Sequence, residues 1–327
     1  MATIKIYEAK QNRLVTVEKI DQSDAERNNV FTVSGANPGL SVGNSFFVFL
    51  KAIRFEHTVF ALPFAYMTLF LAERGIPSLG NFVWITLAMV GGRTFGMGIN
   101  RIIDAEIDGR NPRTAGWALP AGLMTKSQAF LFSAFAISIF VAATFQLSEI
   151  SRYFLPIVVA AMVVYPYCKR FTWTSHLTLG LVYVMVPTGV WIAVTNQLTL
   201  ASVVIGIGAG LWVAGFDVLY ACQDAEVDRQ QGLHSIVANF GISRGLLVAR
   251  VFHALTVVAL AGAGLLLGVG PLYYAGTGAL LLLLAYEHHL VSPHDLSRLD
   301  KAFFTMNGII SVVFSLFVAV DTLIRWQ

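Results

Sequence analysis

Asn100-Arg101-Ile102-Ile103-Asp104-Ala105-Glu106-Ile107-Asp108 closes an apolar run that begins near residue 80. The run is long enough to cross a bilayer, which takes about 20 apolar residues. On a helix, positions i and i+4 share a face, so Asn100, Asp104 and Asp108 are expected to point the same way. An echo, Asp224-Ala225-Glu226-Val227-Asp228, lies 120 residues further on, again directly after an apolar run, with Tyr220 four residues before it. Carboxylates stacked in this way repel one another unless a hard cation sits between them. Magnesium prefers such sparse carboxylate sites, completed by water and a substrate phosphate. Two acidic clusters sharing magnesium and a diphosphate are the expectation.

Outward from these motifs, the 327-residue chain is 56% hydrophobic and 13% charged, against roughly 25% charged in soluble proteins. That composition excludes an ordinary soluble domain. Nine spans are expected, at about 46–72, 80–100, 126–147, 153–169, 175–196, 199–222, 244–268, 271–290 and 303–325. The polar segment 1–44 has no apolar h-region of a cleavable signal and reads as a partly ordered cytosolic arm, too small to fold alone. Residues 45–327 form the membrane domain.

The loops after spans two, four, six and eight, with the arm, hold nearly all the ionisable residues. Of the basic residues outside span interiors, only Arg74, Arg152 and Arg325 fall on the other side. The positive-inside rule makes the charged side cytoplasmic, and both acidic motifs lie there. Cys168 and Cys222 fall at that same border, on the reducing side, and are read as free thiols. The net charge of +3 is small, and no nucleic-acid partner is expected. Because the two motifs differ at one conservative position, with four spans per period, the simplest fold is an all-α pseudo-symmetric bundle. Its halves would bring equivalent helix ends to a central cavity opening to the cytoplasmic side.

Other residues gain meaning from this frame. Pro112 biases Asn111 away from helix, which ends the acidic helix there and puts Arg113 on a loop within reach of a phosphate. Lys169 and Arg170, ending a span, are a topology signal or stabilisers of a departing anion. Asp217 lies seven residues before Asp224, about 10 Å deeper by helix rise. A carboxylate at that depth faces a cavity or pairs with a buried base such as Arg93. Arg54, Glu56 and His57 beside the first span suggest a cavity wall, with packing or snorkelling as the plainer reading. The polar loop Asp228–Ile236 closes over the diphosphate or simply connects two helices.

These residues resemble the UbiA superfamily of intramembrane aromatic prenyltransferases. Asn100-x3-Asp104-x3-Asp108 followed by Asn111-Pro112-Arg113-Thr114 is similar to its first motif. Tyr220-x3-Asp224-x3-Asp228 with Gly232 and Ser235 is similar to its second. Tyr165-Pro166 with Lys169-Arg170 matches the signature between them. Glu56-His57-Thr58 and Phe60-Ala61-Leu62-Pro63-Phe64-Ala65 look closest to the bacterial 4-hydroxybenzoate polyprenyltransferase-like branch. One departure is Gly116-Trp117, where the family often carries another basic residue.

The resemblance implies an integral membrane enzyme of the bacterial cytoplasmic membrane, with its active site facing the cytoplasm. It would transfer a polyprenyl group from polyprenyl diphosphate to an aromatic carboxylic acid, 4-hydroxybenzoate first and 1,4-dihydroxy-6-naphthoate as the alternative, in quinone synthesis. Magnesium would be held by Asn100, Asp104, Asp108, Asp224 and Asp228. The diphosphate would meet Asn100, Arg101, Arg113, Lys169, Arg170 and Tyr220. Asp104, Asp108, Asp224, Asp228, Asp217 and Lys169 would carry catalysis, and Arg54 and His57 would receive the acceptor. A CDP-alcohol phosphotransferase fits poorly, since it relies on a single aspartate motif and the two-motif repeat does not fit it. A cation transporter is the remote rival, but its carboxylates would belong near the bilayer midplane.

Overall fold

A computed structural model describes residues 4–8, 13–17, 31–33, 42–55 and 58–326, with side chains for 45–55 and 62–326. Strands β1 (Ile4–Glu8), β2 (Arg13–Val17) and β3 (Phe31–Val33) pair antiparallel in the order β2-β1-β3. From residue 42 onward every named element is helical. The helices are α1 (Val42–Ala52), α2 (Thr58–Glu73), α3 (Leu79–Arg110), α4 (Lys126–Phe145), α5 (Glu149–Cys168), α6 (Ser175–Thr195) and α7 (Leu200–Ala221). There follow α8 (Ala225–Gln230), α9 (Ile236–Phe240), α10 (Ile242–Leu267), α11 (Pro271–His289), a π-helical turn (Lys301–Met306) and α12 (Asn307–Trp326).

Among the described residues, seven helices are long and apolar enough to cross a membrane: α3 to α7, α10, and the π turn joined to α12. The two remaining expected spans differ for physical reasons. The run 46–72 is divided into α1 and α2, because Arg54 takes a left-handed backbone conformation (φ 48°) that no helix accommodates. Glu56 and His57 lie outside the described residues. The run 271–290 is helical as α11, but Tyr273, Tyr274, Glu287, His288 and His289 dilute its apolar character and it is not among the seven.

Two compact units emerge. One draws on Met1–Phe55 and Thr94–Ala136, the other on Glu56–Arg93 and Ile137–Gln327. The first is centred on Phe49, Ile53, Ala118, Met124 and Ala129, with the Phe49 and Phe132 rings 5.2 Å apart. It contains the acidic end of α3, a 32-residue helix. At 1.5 Å per residue such a helix spans about 48 Å, more than the roughly 30 Å of a hydrocarbon core, so its last turns project beyond the apolar stretch.

The second unit is organised around α7, of whose apolar window 67% is buried, against 28–44% for the other six spans. Thr199 and Ser202 cap its start reciprocally, each side chain accepting the other's backbone N–H at 3.2 Å. Glycine explains its closeness to α6. A Cβ on Gly180 would stand 2.7 Å from the Gly210 carbonyl oxygen, and one on Gly210 2.6 Å from that of Gly180. The two backbones touch, as small residues allow in membrane helices. On the α10 side, His253 Nε2 donates to the Trp212 carbonyl at 3.2 Å, and His288 Nε2 donates to His253 Nδ1 at 2.9 Å.

The last two helices are joined by a buried carboxylate. Asp321 of α12 accepts the N–H of Gly270 at 2.7 Å and that of Tyr273 at 3.2 Å, satisfying donors at the start of α11.

Candidate active site

The first acidic motif keeps the geometry its spacing predicts. Asn100, Asp104 and Asp108 lie within unbroken α3, and Asn100 Nδ2 donates to Asp104 Oδ2 at 3.0 Å. Asp104 is 3% and Asp108 9% exposed. Arg101, expected at the diphosphate, is engaged locally. Its Nε donates to the Ala52 carbonyl at 3.1 Å, and its guanidinium stands 3.8 Å from Asp108 Oδ2 and 3.8 Å from the centre of the Trp117 ring. Arg113 lies 5.5 Å from the same ring. The family departure at Gly116-Trp117 therefore places an aromatic platform under two arginines.

Helix α3 ends at Arg110, as Pro112 requires. The loop beyond is tied back by Thr114 Oγ1, which donates to the Asp108 carbonyl at 2.8 Å. Asn111 Oδ1 accepts the Arg113 N–H at 2.9 Å, which sets the turn that presents Arg113.

The second motif departs from expectation. Helix α7 stops at Ala221, and Asp224 (φ −105°, ψ 1°) opens the short helix α8. Tighter i→i−3 bonds bridge the gap, Gln223 N–H to Tyr220 at 3.2 Å and Asp224 N–H to Ala221 at 3.1 Å. Asp224 and Asp228 remain one turn apart, with the Asp228 N–H on the Asp224 carbonyl at 2.7 Å, but both are only half-buried. Tyr220 is therefore not on one continuous helical face with them. Its ring is instead stacked on Phe303 at 4.2 Å, with Phe304 edge-on at 6.0 Å and Phe216 5.3 Å from Phe303.

The loop after α8 turns at Gly232 (φ 69°). His234 donates its N–H to the Lys169 carbonyl at 2.7 Å, and Ser175 Oγ donates to the His234 carbonyl at 3.3 Å. Ser235 then caps α9 by accepting the Ala238 N–H at 3.0 Å. The Lys169 backbone is thus stitched to the loop that follows the second motif. Arg170 donates from its guanidinium to the Pro166 carbonyl at 2.9 Å.

Asp217 sits on α7, 29% exposed at its side chain, and the partner at its carboxylate is His176 of α6, whose Nδ1 is 2.6 Å from Oδ2. Of the residues expected at the acceptor, Arg54 is the left-handed residue ending α1, and His57 lies outside the described residues. Sequence reasoning missed His176, Trp117 and Phe303. Only Trp117 left a local trace, as the departure from the family pattern.

Among the described residues, no group of three or more His, Cys, Asp or Glu side chains could hold a metal ion alone. The donors on offer, carboxylates and an asparagine amide, are hard oxygens in sparse pairs. That set suits magnesium completed by substrate phosphates and not a closed structural site.

Residues 61–309 match the model of the UbiA prenyltransferase family. The 4-hydroxybenzoate octaprenyltransferase of Vibrio cholerae serotype O1 is 31% identical over 242 residues, spanning 73% of this chain and 84% of that protein. The protein of the same name from Alcanivorax borkumensis is 30% identical over 247 residues, spanning 74% and 84%. The apo structure of a UbiA homolog from Aeropyrum pernix K1 superposes with a TM-score of 0.74 at 30% identity, covering 82% of this chain and 98% of that one. A UbiA homolog from Archaeoglobus fulgidus, bound to GPP and Mg2+, shares the fold with a TM-score of 0.66 at 21% identity, covering 84% and 99%.

Proposed function

The chain belongs to the UbiA prenyltransferase family, and from that premise we propose that it transfers a polyprenyl group from polyprenyl diphosphate to the ring of 4-hydroxybenzoate, with magnesium. It is a prenyltransferase, and an integral multi-pass membrane protein. Nine crossings, with α2 and α11 added to the seven, and an active site on the cytoplasmic side complete the reading. The paired acidic motifs, each at the end of an apolar helix, are the observation that carries the chemistry. The relatives named for 4-hydroxybenzoate support the acceptor. Transport is set aside by the family itself.

Asp104, Asp108, Asp224 and Asp228, with Asn100, would hold the metal. Bound there, magnesium neutralises charge on the departing diphosphate. Arg113, Lys169 and Arg170 add fixed positive charge where the anion develops. Arg101, which stands beside Asp108 and over the Trp117 ring, would meet the diphosphate from there. Breaking the C–O bond leaves an allylic cation, which the π faces of Tyr220 and Phe303 favour. The electron-rich ring attacks ortho to its hydroxyl, and Arg54 and His57 receive the acceptor's carboxylate.

An acceptor competition tests this reading. Purified protein in lipid receives magnesium, a long-chain prenyl diphosphate, and equal 4-hydroxybenzoate and 1,4-dihydroxy-6-naphthoate, with products read by mass spectrometry. Prenylated hydroxybenzoate is expected. Prenylated naphthoate in its place would move the protein to menaquinone-type synthesis, and no magnesium-dependent diphosphate release would sink the reaction altogether.

A further inference from the structure

His176 and Asp217 form a pair that no spacing announces. The histidine is the interior member, with its side chain 4% exposed against 29% for the aspartate. Its Nδ1 lies 2.6 Å from Asp217 Oδ2, while its Nε2 is buried and has no hydrogen-bond partner among the described residues. A buried orphan is tolerable as a bare acceptor lone pair and costly as an N–H with nowhere to donate. The tautomer that fits places the hydrogen on Nδ1, donating to the carboxylate. In the serine-protease arrangement a buried aspartate orients a working histidine. Here the order is reversed, and a buried histidine orients a more exposed aspartate.

We propose that His176 is a positioning residue that fixes Asp217 so that its free oxygen accepts the hydroxyl proton of a phenolic acceptor during prenyl transfer. The proposal rests on the prenyl-transfer reading and adds which end of the acceptor meets which residue. A carboxylate only accepts hydrogen bonds, so it selects the hydroxyl end of the ring and repels the acid end. Asp217 is one helical turn from Tyr220 on α7, at i and i+3. Asp224 lies beyond the break at Ala221, at the start of α8, so Asp217 is the carboxylate that α7 itself carries ahead of the second motif.

The atoms balance. The C–O bond to diphosphate breaks with its electron pair leaving on the diphosphate, and the ring carbon ortho to the hydroxyl bonds to the allylic carbon. The hydroxyl proton moves to Asp217 as the oxygen becomes a ketone. The ring C–H proton then leaves to the released diphosphate. Asp217 returns its own proton to oxygen, so the aromatic ring is restored and Asp217 ends as a carboxylate.

The test compares native protein, His176→Ala, His176→Asn and Asp217→Asn, all full length in lipid with magnesium and prenyl diphosphate. Each is given 4-hydroxybenzoate or its methyl ether, 4-methoxybenzoate, and kcat/KM is read for both. Asparagine at 176 keeps an N–H donor near the place of Nδ1 but cannot exchange a proton. We expect the hydroxyl-over-methoxyl preference to collapse by at least ~10-fold in His176→Ala and Asp217→Asn, with KM for the prenyl diphosphate unchanged, and to recover within a few-fold in His176→Asn. An unaltered preference in His176→Ala, or an asparagine variant as impaired as alanine, would overturn the proposal. If His176→Ala does not fold, the Asp217→Asn and His176→Asn preferences decide it alone. Absence of magnesium-dependent diphosphate release from the native protein would bring down the prenyl-transfer reading and this proposal with it.

Discussion

In the first acidic motif, Asn100, Asp104 and Asp108 ride on one unbroken helix, whereas in the second the helix stops at Ala221 and Asp224 starts another. The letters and spacings are nearly the same, so the difference comes from what surrounds them. The first motif is supported by its own continuation: Arg101 bridges Asp108 and Trp117, and Thr114 reaches back to Asp108. The second is supported from afar, by Phe303 and Phe304 on the π turn and by the Lys169 backbone. One spacing can thus be held either by local helix geometry or by tertiary contacts. Buried carboxylates accompany the first, half-buried ones the second.

If both motifs serve one metal-bound diphosphate, the largest effect should be symmetric. Asp104→Ala and Asp224→Ala are each expected to lower prenyl transfer by about 10²–10³-fold or more, with thermal unfolding in detergent unchanged. Chelation with EDTA should do the same to the native protein and be reversed by added magnesium. Normal turnover by either aspartate variant would separate the motifs and end the shared-metal model.

A smaller effect should distinguish their supports. Trp117→Ala removes the platform under Arg101 and Arg113 and should raise KM for the prenyl diphosphate several-fold, about 1 kcal/mol, with little change in kcat. Phe303→Ala removes the ring stacked on Tyr220 and should instead lower kcat by about 10-fold. Steady-state kinetics read both; identical profiles would show that the supports are equivalent after all. The smallest effect is expected at Ser235, whose side chain caps α9 just past the second motif. Ser235→Ala should cost about 1 kcal/mol, seen as a fall of a few degrees in unfolding temperature.

Much of this was legible from residues alone, and the reasons are physical. Apolar runs near 20 residues read as spans because the bilayer sets their length, and α3 to α7 and α10 follow those readings closely. Pro112 ended its helix because the residue before a proline is forced away from the α region. What escaped was set by contact between distant segments. Nothing near Asp217 announces His176 on another helix, and nothing near Tyr220 announces Phe303. The left-handed residue Arg54 sits in a stretch that hydropathy alone reads as continuous, and hydropathy carries no information on backbone torsion.

Asp321 has a consequence for the order in which the chain is made. Its carboxylate closes the backbone donors at Gly270 and Tyr273, which leave the ribosome 51 and 48 residues earlier. Until residue 321 arrives, the leading end of α11 carries unmet polar groups, and α11 is the helix whose own apolarity falls short of the other spans. During biosynthesis this helix is therefore a tenant awaiting its last neighbour, seated for good only when the final segment inserts beside it.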